Sequence, residues 1–200
     1  QIAMTIFSTL AFILDALAIA GQALIGHGLG ASAVDRVAAI TRRLIQHGLV
    51  FGLFLGIIIA VLAPVAAPVF TSDAAVKSAV TVTLYIMAAG IPLAGYVFVL
   101  DGVLIGAGDA RYLAITGAIN LAAYLPLLVW LEAARPDAAL AWLWVAFGFG
   151  YMGARALTLG LRAKGSRWIV TGAFLVFSTS CAKARMTKLC DPVGRRPVSG

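Results

Sequence analysis

The sequence predicts an all-α membrane protein, a polytopic helical bundle of about five transmembrane helices, on three observations. Its 200 residues are 62% hydrophobic and only 12% charged, with mean hydropathy +1.01, whereas a soluble domain carries about 25% charge. The apolar residues fall into five runs, each near or above the roughly 20 residues that cross a ~30 Å hydrocarbon core. The basic residues stand at the ends of those runs, where they report orientation and contact with anionic headgroups. That placement assigns the net charge of +7 to membrane topology and the lipid bilayer, with no nucleic-acid partner expected.

The first run extends from about Ile2 to Ile25. Gln1 opens the sequence inside it, with no charged flank and no visible signal peptide, so the chain reads as a fragment that begins within a helix. The second runs from about Ala39 to Val61, ahead of Pro64 and Pro68. The third follows the N-cap cluster Thr71, Ser72 and Asp73 and continues to about Ile105. At 1.5 Å per residue it exceeds the core thickness, so it must tilt, kink or protrude. Pro92, between Gly90 and Gly95, is the expected kink. The fourth runs from about Tyr112 to Leu131 around Pro126, and the fifth from about Ala138 to Leu161, rich in Trp and Gly. Residues 1–173 thus form the membrane part. Beyond them, Trp168 to Phe177 is apolar but too short to span, and residues 174–200 read as a basic tail without fixed structure, solvated or at the membrane surface.

Loop charge sets the orientation. Arg36, Arg42, Arg43, Arg111, Arg155, Arg162, Lys164 and Arg167 gather on one side, and only Lys77 and Arg135 on the other. The positive-inside rule places the Gly26–Arg43 loop, the Gly106–Arg111 loop and the C-terminus in the cytoplasm. Cys181 and Cys190 match no zinc or redox spacing, and His27 and His47 have no second ligand group nearby. No metal or other cofactor is expected.

Polar residues inside apolar helices are the candidate functional positions. In the first run Ser8, Asp15 and Gln22 recur every seven residues, interleaved with Ala11, Ala18 and Gly26, as one small, polar stripe. The stripe is either a packing seam or a cavity-lining face with Asp15 ~16 Å from the cytoplasmic end. Asp101 lies ~12 Å inside its helix, and Arg155 at a similar depth in the fifth run, so the two invite pairing. For an Arg this shallow, snorkelling to the nearby interface is the favoured reading. A carboxylate at membrane depth costs ~3 kcal/mol on insertion scales; it either marks an ion or substrate path or is satisfied by a neighbouring helix. Asn120 and Tyr124 share a face with Thr116 and line a path or bond across helices. Gly106 and Gly108 read as a tight turn, with Asp109 capping the next helix; as a phosphate-binding loop they lack the spacing and the preceding strand.

Two stretches carry a family resemblance. LDALAIAGQALIGHGLGA (Leu14 to Ala31), followed by Arg42 and Arg43, resembles the eighth helix and following loop of multidrug and toxic compound extrusion (MATE) transporters. FVLDGVLIGAGDARYL (Phe98 to Leu113) resembles the tenth helix and loop of the DNA-damage-inducible protein F (DinF) branch. The resemblance extends from Gln1 to about Ala173 and implies helices eight to twelve of a six-helix C-terminal lobe, with the N-terminal lobe as partner. The family's best-known proton-coupling aspartate belongs to the first helix, outside this sequence; Asp15 and Asp101 match acidic positions of the branch.

By that resemblance the expected activity is proton- or sodium-driven antiport, exporting amphipathic or cationic small molecules by alternating access in the bacterial cytoplasmic membrane. Candidate coupling or cavity residues are Asp15, Gln22, Asp101, Asn120 and Arg155, and Pro92, Gly106 and Gly108 are the hinge or turn positions. A lipid-linked-precursor flippase of the same superfamily and an inert fragment that only associates with a partner half are the rival readings. An enzyme is not expected, because no intramembrane His or Cys pair supplies a nucleophile–base or metal constellation.

Overall fold

A computed structural model describes residues 1–70, 72–134, 136 and 138–171; the basic tail at 174–200, Thr71, Arg135 and Asp137 lie outside the described residues. The chain is a helical membrane bundle: α1 spans Ile2–Gly30, α2 Val34–Phe70, α3 Ala74–Gly106 and α4 Ala110–Ala134. Each of these four is long and apolar enough to cross a membrane. The fifth run also folds, but in three consecutive pieces: α5 (Ala139–Val145), a π-helical segment (Ala146–Tyr151) and α6 (Met152–Lys164). The π segment reads AFGFGY, and its wider turn accommodates one more residue than an α-helical turn.

α2 departs from the sequence expectation. It does not end ahead of Pro64 but continues through both prolines to Phe70. Each proline forfeits one backbone bond, yet Ala63 and Ala67 are fully buried. Unwinding there would expose further unpaired backbone groups to an apolar medium, which costs more than the lost bonds. α3 starts as its cap predicts: Asp73 Oδ1 accepts from the amides of Ala75 (2.8 Å) and Val76 (3.1 Å).

α3 is the core of the bundle and packs against all the other helices. Leu84, Ile91, Leu100 and Leu104 on it are buried, as are Leu14 and Ile25 of α1. Glycines set how close the neighbours come. Along α2, Gly48, Gly52 and Gly56 repeat every four residues, and α3 lies directly on them. A Cβ on Gly52 would stand 2.8 Å from Pro92 Cα, and one on Gly56 2.6 Å from the Ala88 carbonyl oxygen. Pro92 therefore sits in this contact, inside an α3 that runs through it unbroken. On the α1 side, Gly102 lies against the backbone of Ala18, and a Cβ on Gly106 would come within 2.5 Å of the Gln22 carbonyl oxygen.

Two turns close the basic end of the bundle in the same way. After α3, Gly108 adopts φ +77°, its amide bonds Ile105 O, and the Asp109 amide bonds Leu104 O. After α1, Ser32 adopts φ 56°, with Ser32 N to Leu29 O and Ala33 N to Gly28 O. Both are Schellman caps with a left-handed residue, glycine in one and serine in the other.

Candidate functional site

The polar side chains of α3, α4 and α6 converge inside the bundle. Arg155 reaches across from α6 to Asp101 of α3 with two bonds, Nη2 to Oδ1 at 2.7 Å and Nε to Oδ2 at 3.2 Å. The side chains keep 16% and 25% exposure, so the pair is largely withdrawn from its surroundings without being sealed. Fork-to-carboxylate geometry fixes direction as well as distance. Room for the guanidinium comes from α4: a Cβ on Gly117 would lie 3.3 Å from Arg155 Nη1. Arg155 thus enters the bundle and pairs; it does not snorkel.

Asn120 belongs to the same junction. Its Nδ2 donates to Thr158 Oγ1 (3.1 Å), and Thr158 in turn donates to the Arg155 carbonyl (2.9 Å). The Tyr112 hydroxyl donates to the Thr158 carbonyl at 2.7 Å. Thr116 and Asn120 are buried on that face of α4, and Tyr124, one turn further, meets the ring of Tyr151 at 5.5 Å. An arrangement of this kind can hold a proton or a small cation among a carboxylate, hydroxyls and an amide, and it can exchange one pairing for another if α6 shifts.

Thr158, Tyr112 and Gly117 were not singled out in the sequence. Neither was a second ion pair: Asp109, read as a helix cap, has its Oδ2 occupied by Arg162 Nε at 2.7 Å. The Arg162 guanidinium also lies 4.7 Å over the Tyr112 ring. The signal was present, since Asp101 and Asp109 are eight residues apart and Arg155 and Arg162 seven. The two pairs fasten α6 to α3 and to the α3–α4 turn.

Asp15 and Gln22 are not part of the junction. The Ser8, Asp15 and Gln22 side chains are exposed on α1, while the buried stripe beside them is Leu10, Leu14, Ala18, Gly21 and Ile25. The small members of the stripe do pack: Ala18 and the Gln22 backbone meet Gly102 and Gly106, and a Cβ on Gly26 would lie 3.4 Å from Gly106 O. One helix face therefore divides, its small residues forming a seam with α3 and its polar side chains left open.

Known proteins match this chain in sequence. Residues 1–130 match the MatE family. The chain belongs to it. Among curated relatives, Protein DETOXIFICATION 43 of Arabidopsis thaliana is 35% identical over 162 residues, covering 79% of this chain and 29% of that protein. Protein DETOXIFICATION 42 of the same plant is 30% identical over 114 residues, covering 57% of this chain and 22% of that protein. The chain thus spans less than a third of these relatives. No solved structure matches. Within the MatE match lie Asp15, Gln22, Asp101 and Asn120; Arg155 lies beyond it.

Proposed function

We propose that this chain is part of a MATE-type secondary transporter: helices eight to twelve of its C-terminal lobe, in the DinF branch, exporting amphipathic or cationic compounds against an inward proton or sodium gradient. The basic turns and the end of α6 face the cytoplasm in this reading, and the exposed Ser8–Asp15–Gln22 face of α1 looks toward the partner lobe and the translocation path. The observation that carries the proposal is the Asp101–Arg155 pair, linked through Thr158 to Asn120. Ionisable groups at membrane depth are costly and rare, and they commonly mark ion or substrate paths and proton relays. Coupling follows if Asp101 alternates between an ionised state held by Arg155 and a protonated or cation-bound state in which Arg155 is released.

The test is export of a cationic dye from everted vesicles carrying the full-length protein, driven by an imposed proton or sodium gradient. Asp101→Asn keeps the shape and removes the titratable group. It also leaves Arg155 without its carboxylate, so export is compared at equal amounts of folded protein; loss of gradient-driven export is expected, and wild-type export with unchanged pH and sodium dependence would reject the coupling role. Orientation has its own check. Cysteines placed at Ser32 and at Asp137 should react with an impermeant maleimide from opposite sides, and reaction from one side would reject the topology.

A further inference from the structure

At the basic end of the bundle, α2, α3 and α6 line an open cavity of about 480 Å³ that the transport reading does not use. Its lining includes Arg42 and Gln46 of α2, Tyr96 of α3, and Lys164, Ser166 and Trp168 at and after the end of α6; Arg42, Gln46, Lys164 and Ser166 are exposed. Gly160 of α6 lets Tyr96 come close: a Cβ there would stand 2.5 Å from the Tyr96 hydroxyl. The turn after α6 is held by its own bonds, Trp168 Nε1 to Ala163 O at 3.2 Å and Ile169 N to Ser166 O at 3.1 Å. Trp168 is 3% exposed, so the turn after α6 is packed into the bundle.

We infer that this cavity binds the phosphodiester headgroup of an anionic membrane lipid between Arg42 and Lys164. Its lining contains two cations and no carboxylate, and neither cation has an ion-pair partner among the described residues. Gln46, Ser166 and the Tyr96 hydroxyl add hydrogen-bonding groups that suit phosphate oxygens and a glycerol. The position suits a lipid better than a soluble anion. Apart from Thr41, whose hydroxyl is bonded to the Val37 carbonyl, the rest of the lining is apolar or glycine, which a headgroup attached to acyl chains can use. Basic pockets between transmembrane helices bind acidic headgroups for the same reason. The residues beyond 171 carry Lys183, Arg185, Lys188, Arg195 and Arg196 against Asp191 alone, so that segment has the wrong charge to compete. The inference does not depend on transport activity.

The experiment is lipid binding to the full-length protein, purified and delipidated, followed by native mass spectrometry and thermal unfolding. Phosphatidylglycerol should bind and raise the unfolding temperature where phosphatidylcholine does not. Each basic group near an anionic surface contributes roughly fivefold in affinity, so Arg42→Gln with Lys164→Gln should weaken binding by about 25-fold. Arg42→Lys with Lys164→Arg should retain it. Arg36→Gln with Arg111→Gln, which removes the same charge outside the cavity, should also retain it. An equal loss in that second pair would reduce the effect to diffuse surface charge and overturn the site. Equal stabilisation by millimolar inorganic phosphate would overturn the lipid assignment in favour of a soluble anion. Lys164→Gln alone, at the exposed end of α6, keeps the test decisive if the double variant does not fold: unchanged phosphatidylglycerol binding in it would overturn the proposal.

Discussion

Where α3 meets α1 and α2, glycines bring backbone against backbone; where it meets α6, an aspartate and an arginine join the helices through side chains. The first contact is dry and close. Gly48, Gly52 and Gly56 on one helix and Gly102 and Gly106 on another leave no room for even a methyl group, and dispersion over matched surfaces supplies the attraction that lipid cannot. The second contact sets a polar, part-exposed group beside apolar packing of Met152, Ala156 and Leu159 on α3, with Asp101, Arg155, Thr158 and Asn120 in one chain of bonds. Close-packed surfaces tolerate little displacement, because a gap of ~0.5–1 Å already forfeits a quarter to a half of the attraction. Ion pairs and hydrogen bonds can be exchanged for others of similar energy. α1, α2 and α3 thus meet through backbone contact, and α3 and α6 through an ion pair set beside apolar packing.

The largest effect is expected at the polar contact. Arg155→Met leaves the Asp101 carboxylate without its cation, and removing one partner of a buried pair costs ~3–5 kcal/mol. The 16% and 25% exposure of the side chains places the expectation near the low end, about 3 kcal/mol, read as reversible unfolding in mixed micelles. Adding Asp101→Leu to that variant should recover most of the loss, because an apolar pair of similar volume is often neutral. A double variant as unstable as the single one would mean that the junction holds the bundle together by more than charge.

Next comes the dry seam. Gly102→Ala places a methyl group against the Ala18 backbone, and backbone cannot rotate away as a side chain can, so α1 and α3 must separate. Overpacking of this kind costs ~1–3 kcal/mol. Gly153→Ala is the matched control, since a Cβ there meets nothing within 4 Å; it should be neutral or slightly stabilising through helix propensity. Equal unfolding temperatures for the two variants would show that the seam is looser than its geometry implies.

The helices of this chain were legible in the sequence because apolar length and cap residues are local signals. The membrane class, the start of α3 at Asp73 and the position of α4 follow from them. The end of α2 was not legible, because proline reads as a stop in water but not in an apolar bundle whose neighbours bury Ala63 and Ala67. The π segment at Ala146–Tyr151 was also hidden, since a change of hydrogen-bond step leaves no mark on composition. At the candidate site, the depth of Asp101 and Arg155 suggested their pairing. Thr158 and Gly117 gave no sign, for a threonine and a glycine in a helix are ordinary until an amide across the interface needs an acceptor and a guanidinium needs space. The seam of Gly48, Gly52 and Gly56 was visible as a four-residue repeat of small residues and went unread.

A smaller effect should sharpen the distinction within the polar contact itself. Asn120→Ala removes the bond to Thr158 Oγ1 and leaves the ion pair in place. Hydrogen bonds between membrane helices average about 0.6 kcal/mol, because the alternative partners are many. A loss of that size would show Asp101 and Arg155 to be the dominant link between α3 and α6, whereas a loss comparable to Arg155→Met would make the network cooperative through Thr158.

An effect of similar size contrasts the turns that lead into the two contacts. Both use a left-handed residue at the position after the helix cap, Gly108 before α4 and Ser32 before α2. A residue with a Cβ pays a steric penalty there of roughly 1–2 kcal/mol in the helical reference case, and glycine does not. Glycine also makes the unfolded chain more flexible, which offsets about 0.4–1 kcal/mol of that gain. Ser32→Gly should therefore stabilise the protein by a few tenths of a kcal/mol up to about 1, a small rise in unfolding temperature. Gly108→Ala should lower it, since it takes on the Cβ penalty at φ +77°, although a Cβ there meets no atom within 4 Å. Opposite signs would locate the cost in backbone conformation alone. If Ser32→Gly destabilises, the serine side chain does something at the α1–α2 turn that its backbone angle does not reveal, and the two turns are not equivalent.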